Sequence, residues 1–207
     1  MPSRLRDTPP VSTPLHKTRL FIFSLSLLFL FFVINTHSFA DGQANIQSGT
    51  YKTNQAFLHE NFSGKIPPIK AVWLKGNLKK QVNTILAHPY GKLRVKYWLA
   101  GNKSAWILEE IGKERPITTG IIINNNKISK VEILAFRESR GWEVKYPFFL
   151  KQFFNASLKG NNQLNKNIDG ITGATLSVRA VRKLSQIALL LHKHVTQIAK
   201  VPQPARK

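Results

Sequence analysis

The sequence predicts an α+β fold, a small antiparallel sheet packed with helices in a single domain. Three observations carry that expectation. Between residues 93 and 136, β-branched and aromatic runs alternate with Gly/Asn turn signals. From Leu176 to His194, apolar residues recur on one helical face. No internal repeat or long linker divides the 207 residues.

Taken in order, residues 1–40 read as a secretory signal peptide. Leu20 to Ile34 is an uninterrupted apolar run of 15 residues, preceded by Lys17 and Arg19 and followed by Ser38-Phe39-Ala40, with small residues where signal peptidase reads. Cleavage after Ala40 is expected. The competing reading is an uncleaved membrane anchor, but a spanning helix needs roughly 20 apolar residues. Residues 41–92 read as a lead-in with a short helix. Asp41 to Phe57 is polar and expected to be exposed, and Ile66-Pro67-Pro68 marks a bend. Leu78, Val82, Ile85 and Leu86 predict an amphipathic helix around Gly76 to Leu86, closed by His88-Pro89-Tyr90-Gly91.

Leu93 to Leu99 and Ser104 to Leu108 then read as two strands of a hairpin turned at Gly101-Asn102-Lys103. Pro116 to Ile123 and Ile128 to Phe136 form a second pair around Asn124-Asn125-Asn126. Thr118-Thr119-Gly120 is read as a turn. Arg137 to Val144 is a charged loop, Pro147 to Phe154 begins a helix, and Leu158 to Ile168 is an Asn-rich loop. In the last helix, Val178, Val181, Leu184, Ile187, Ala188 and Leu191 share one face. Residues 197–207 form a basic tail.

The chain has no cysteine, which excludes disulfides, thiolate metal sites, iron–sulfur clusters and c-type haem attachment. The six histidines show no metal-ligand spacing, so no metal site is expected. Thirty-one basic and ten acidic residues give a formal charge of +21. Without residues 1–40 the charge is still +18. Such a field attracts anionic partners. Export and the lack of a helix-turn-helix or RNA-binding signature argue against nucleic acid. A solvated basic surface and a cationic docking module for an anionic partner, without redox activity, remain the competing readings of this charge.

The segment that carries chemistry is Asp169-Gly170-Ile171-Thr172-Gly173-Ala174-Thr175-Leu176-Ser177. It is a Gly-containing turn feeding a helix N-terminus, where amide N–H groups lack intrahelical partners and the helix dipole adds positive potential. Together these make a seat for phosphate, with hydroxyls from Thr172, Thr175 and Ser177. The plain alternative is that Thr175 or Ser177 simply caps the helix.

This segment resembles the flavinylation signature of the FMN-binding domain family, Asp-x-x-Ser/Thr-Gly-Ala-Thr, matching at Asp169, Thr172, Gly173, Ala174 and Thr175. The resemblance implies an FMN-binding domain over residues 93–196 and FMN joined by a phosphoester to Thr175. It also implies a separate magnesium-dependent flavin transferase with FAD as donor, whose recognition Asp169 assists unless it is only a turn carboxylate. Arg137-Glu138-Ser139-Arg140-Gly141-Trp142 looks like the family's flavin-contacting loop, commonly Glu-Thr-Pro-Gly-Leu-Gly. Glu138 and Gly141 are retained, while Ser139, Arg140 and Trp142 depart from it. Trp142, Trp106, Thr118 and Thr119 are candidates to line the isoalloxazine pocket, against a core role for Trp106. Glu138 and Arg140 are alternatively a surface ion pair, and Arg140 near the flavin would favour its reduced anionic form. No residue set resembles a substrate-specific active site, so electron transfer is expected rather than independent enzyme activity. The expected partners are the transferase and a membrane-bound or periplasmic redox protein. The expected place is periplasmic or extracytoplasmic, with tethering to the membrane as the variant.

Overall fold

Apolar runs between Leu93 and Phe136, partly alternating and partly continuous, dictate strands with one or two buried faces. The computed structural model describes residues 49–200. Six strands are present: β1 (Gly49–Thr50), β2 (Ile69–Trp73), β3 (Arg94–Ala100), β4 (Lys103–Ile111), β5 (Pro116–Asn124) and β6 (Lys127–Phe136). They pair antiparallel throughout, in the order β1-β6-β5-β4-β3-β2. The helices are α1 (Asn54–Asn61), α2 (Gly76–Leu86), α3 (Pro147–Leu150) and α4 (Thr175–Lys200), giving the expected α+β fold. The β5–β6 hairpin turns on Asn125 and Asn126, with φ of 51° and 59°. Those paired left-handed conformations match the twist of the flanking strands.

The two faces of the sheet are buried differently. On one, Tyr97, Trp106, Leu108, Ile117, Ile121 and Ile133 join a large core with the α4 stripe of Val181, Leu184, Ile187, Ala188 and Leu191. Each fully buried Leu or Ile there contributes roughly 1.5–3 kcal/mol. On the other face, Phe57 and Leu58 of α1, with Phe62, cover Ala105, Ile122 and Leu134. Because α1 and α4 cover opposite sides of β5, residues Ile117 to Ile123 are buried without interruption.

Thr118-Thr119-Gly120 is therefore the middle of β5 and not a turn. Thr118 and Thr119 pair with Glu109 and Leu108 on one side, and with Ala135 and Ile133 on the other, across a bulge. Gly120 serves close packing: a Cβ there would lie 2.7 Å from Phe57 Cζ.

The segment expected as an exposed lead-in contributes structure. Thr53 caps α1, its Oγ1 accepting from the Ala56 N–H at 3.1 Å. Helix α2 spans Gly76–Leu86, as its apolar spacing predicts. β2 bonds β3 from Ile69↔Trp98 to Trp73↔Arg94, so the sheet runs across residue 93. The helix begun at Pro147 lasts four residues before tightening into a 3₁₀ turn at Lys151–Phe153. Helix α4 continues to Lys200, beyond His194. The proposed signal peptide and residues 201–207 lie outside the described residues. Among the described residues, no helix is long and apolar enough to cross a membrane.

Candidate functional site

The motif loop is pinned by small and branched apolar side chains and turns its polar ones outward. Ile168 and Ala174 are buried, and Ile171 packs against the main core. Asp169, Gly170, Thr172, Gly173 and Thr175 are exposed. The Ala174 N–H donates to the Ile171 carbonyl at 3.0 Å, closing a four-residue turn. Gly173 is its third residue with φ of +82°. A type II turn demands that positive φ and disfavours any residue with a Cβ there. The Asp169 N–H donates to Gln152 Oε1 at 2.7 Å, and Asp169 Oδ1 accepts from Asn167 Nδ2 at 3.3 Å.

Helix α4 begins directly after this turn. The Val178 N–H donates to the Ala174 carbonyl at 2.9 Å, which makes Ala174 the N-cap residue and Thr175 the first residue of the helix proper. Neither Thr175 nor Ser177 occupies the capping position. Alanine has no side-chain oxygen to offer the first amides and is a poor cap. The amides of Thr175, Leu176 and Ser177 thus open a helix of 26 residues that contains no Asp or Glu. Its dipole leaves positive potential beside the exposed Thr175 hydroxyl.

The loop from Arg137 to Trp142 meets this helix start. Gly141 has φ of +86° and lies so close that a Cβ would fall 2.5 Å from Ser177 Oγ and 3.6 Å from Ala174 Cα. Gly141, Ala174 and buried Ser177 are thereby brought together. Trp142 is partly buried against the main core and opens a 3₁₀ turn, Trp142–Lys145. One residue on, Glu143 Oε2 is buried without a hydrogen-bond partner. Ser139 and Arg140 are exposed.

Glu138 is buried, and its Oε1 accepts from the amides of Lys113, Glu114 and Arg115 at 2.6, 2.8 and 2.9 Å. It clamps the β4–β5 turn instead of pairing with Arg140. Burial pushes its pKa up, but the amides, Arg115 first, outweigh that and hold it below the ordinary carboxylate range. Thr118 Oγ1 donates to Glu109 Oε1 at 3.1 Å and accepts from Arg137 Nη1 at 2.9 Å, which ties β5 to the base of the loop. Thr119 is on the other face, fully buried, with its hydroxyl unpartnered.

Trp106 is a core residue. It stacks on Tyr97 with centroids 5.0 Å apart, and its Nε1–H donates to Ser104 Oγ at 2.7 Å. Since Ser104 Oγ already accepts that proton, its own O–H is left to donate to His192 Nδ1, 2.7 Å away on α4. Burial lowers the His192 pKa to about 4, so the ring is neutral near pH 7. Among the described residues no group of three His, Cys, Asp or Glu could hold a metal.

Sequence reasoning missed Gln152, the amide clamp on Glu138, and the apolar pins of the motif loop. The three-residue spacing of Ile168, Ile171 and Ala174 in a polar stretch was the available signal for the pins. The Gly141–Ser177 approach, across 36 positions, left none.

A family model described as the FMN-binding domain matches residues 112–190. That span holds both the motif and the loop that packs on it. Neither a curated protein nor a solved structure matches the chain.

Proposed function

We propose, from the premise that residues 112–190 are an FMN-binding domain, that this chain is an exported electron carrier with FMN joined to the Thr175 hydroxyl through its phosphate. One observation carries the reading: Thr175 is exposed at the first position of α4, after a cap residue that leaves the leading amides to another acceptor. A phosphate monoester is such an acceptor, and helix N-termini suit it. The residues present fit the group in other respects. Gly170 and Gly173 have nothing within 4 Å of where a Cβ would sit, so the loop's outer side is open. Glu143 Oε2 beside Trp142 is an acceptor lacking a donor.

When bound, the flavin supplies one- and two-electron transfer. The chain's part is to hold and tune it. Formation of the ester joins Thr175 Oγ to the FMN phosphorus, breaks the pyrophosphate of FAD, releases AMP and takes a proton from the hydroxyl. That step belongs to a separate magnesium-dependent transferase. Asp169, exposed and the one acidic residue after Glu143, suits recognition by that enzyme. Exposed Arg140, next to Gly141, would stabilise a reduced anionic flavin by Coulomb attraction. The apolar run at Leu20–Ile34 supports delivery across the cytoplasmic membrane, where a covalent link prevents cofactor loss. The electrons would pass between a membrane-bound or periplasmic redox protein and a second acceptor.

Intact-mass measurement of the exported protein tests this directly. The expected mass includes one FMN, and Thr175→Val yields a colourless protein of unmodified mass. An unmodified wild type, or a Thr175→Val protein still yellow after denaturing electrophoresis, overturns the attachment.

A further inference from the structure

Charge is distributed unevenly along the chain. From Val144 to Lys207 there are eleven Lys or Arg residues and one acid, Asp169. Helix α2 contains no acid either. These segments meet along the outer side of α4. A cleft of ≈ 910 Å³ lies between α2, the Ser157–Asn162 loop and the C-terminal half of α4, and a second of ≈ 400 Å³ follows it toward Arg182. They share Lys159 and are separated by a chain of carboxamides. Gln186 Nε2 donates to the Asn162 carbonyl at 2.9 Å, and Asn162 Nδ2 donates to Gln81 Oε1 at 2.9 Å.

No carboxylate lines either cleft. Exposed Lys75, Lys159, Lys193 and Arg182 stand on their rims. Carboxamides of Asn77, Gln81 and Gln197 are interspersed, and Leu78, Leu158, Leu189 and Leu190 supply an apolar floor in the larger cleft. No Phe, Tyr or Trp lines either one, and the single ring is His194.

We infer that this trench binds an extended acidic segment of a partner protein. Each part of the lining matches a part of such a segment. The cations meet its Asp and Glu side chains, the carboxamides meet its backbone N–H and C=O groups, and the leucines meet its apolar residues. Single-stranded nucleic acid binds on runs of aromatic platforms, where the trench offers one imidazole. The chain's own ends have no acidic segment to offer: residues 1–48 hold two acids, Asp7 and Asp41, against four basic residues, and residues 201–207 hold none. A second copy is disfavoured, because two molecules of this formal charge repel. The larger cleft is also distinct from the flavin end of α4, whereas the smaller one reaches Asn167 and Ile168 beside the motif loop. Thr175 and Lys193 are 18 residues apart, about 27 Å at 1.5 Å per residue. Binding in the larger cleft therefore does not depend on the state of Thr175.

Fluorescence anisotropy of the full-length protein tests it, with a labelled 16-residue peptide of alternating Glu and Leu as probe. The comparison is between Lys159→Glu/Lys193→Glu and a control of equal net charge, Lys65→Glu/Lys96→Glu, whose lysines are exposed outside the trench. The trench variant is expected to lose at least tenfold in affinity and the control less than threefold. A Glu/Ser peptide is expected to bind the wild type several-fold more weakly than Glu/Leu. Equal losses in the two variants would show a diffuse field and overturn the site. So would absence of binding. An oligonucleotide or phosphatidylglycerol vesicles binding more tightly than the peptide, with the trench variant selectively impaired, would overturn the choice of partner. Repeating the series in Thr175→Val separates this outcome from that of the flavin assignment.

Discussion

At the scale of single residues, displaced pKa values tie stability to pH in both directions, buried His192 and Glu138 one way and exposed His88 the other. His192 is neutral in the fold, with a pKa lowered from 6.5 to about 4. The unfolded chain binds a proton there that the folded chain refuses, so stability rises with pH between about 4 and 6.5. A shift of that size is worth about 3 kcal/mol. His192→Gln is expected to flatten this part of the stability–pH curve, measured by urea unfolding at pH 4.5 and 7; an unchanged slope would refute the assignment. His88 acts the other way. Its Nε2 lies 2.9 Å from Glu110 Oε1, and that bond, with the Pro89 carbonyl, raises its pKa. The stabilisation is present below 6.5 and lost as pH rises through the raised value. Glu138 has a lowered pKa, so its clamp on three amides is complete above the ordinary carboxylate value and fails as pH falls through the depressed one. Glu138→Ala is expected to cost about 1–3 kcal/mol, since it removes the acceptor of three amides. Chemical denaturation measures this at pH 7, and a loss below 0.5 kcal/mol would contradict the clamp.

At the scale of elements, the meeting of the Arg137–Trp142 loop with the start of α4 decides whether the motif is presented correctly. Gly141→Ala has two faults: an alanine at φ +86° is strained by roughly 1–2 kcal/mol, and its methyl runs into Ser177 Oγ. The two separate in a double-mutant cycle. Ser177→Ala removes the obstructing oxygen, so the double variant is expected to recover the steric part and retain the backbone strain. Perfect additivity in thermal unfolding would deny the contact. The local form of the motif was legible in the sequence, because Gly and Thr types at a helix start declare turn and hydroxyl; the packing that steadies it was not. The hairpins and the α4 stripe were legible for the same reason, being set by local period and turn residues. Helix α1 escaped notice because Phe57 and Leu58 are its only buried residues, and their value appears once Ile122 and Leu134 are brought over them. β2 escaped because one of its five residues, Val72, is buried. The Thr118-Thr119-Gly120 reading failed because a glycine that makes room for Phe57 looks, in sequence, like one that turns the chain.

At the scale of the whole molecule, the segment that matches the family model is not a folding unit. Residues 112–190 contain β5, β6 and most of α4, but the core against which α4 lies is also built from Val72, Val95, Tyr97, Trp106 and Leu108. Those residues belong to β2, β3 and β4, and their loss would strip β5 of its partner on one edge along Pro116–Asn124. The opposite sheet face would lose Phe57 and Phe62 as well, baring Ile122 and Leu134. Exposing that much apolar surface and a long unpaired central strand favours aggregation over folding. The candidate site leans on them at one remove: Glu138, at the base of the loop that touches Ser177, is held by the amides of Lys113 to Arg115, a turn inside the segment whose other leg is β4. A fragment of residues 112–190 is therefore expected to show no cooperative melt by circular dichroism and to fail in the proposed flavin attachment, whereas residues 41–207 are expected to melt cooperatively and to accept flavin. A fragment that melted cooperatively and became fluorescent would show that the site stands without the sheet, and that the strands before residue 112 serve some purpose other than support.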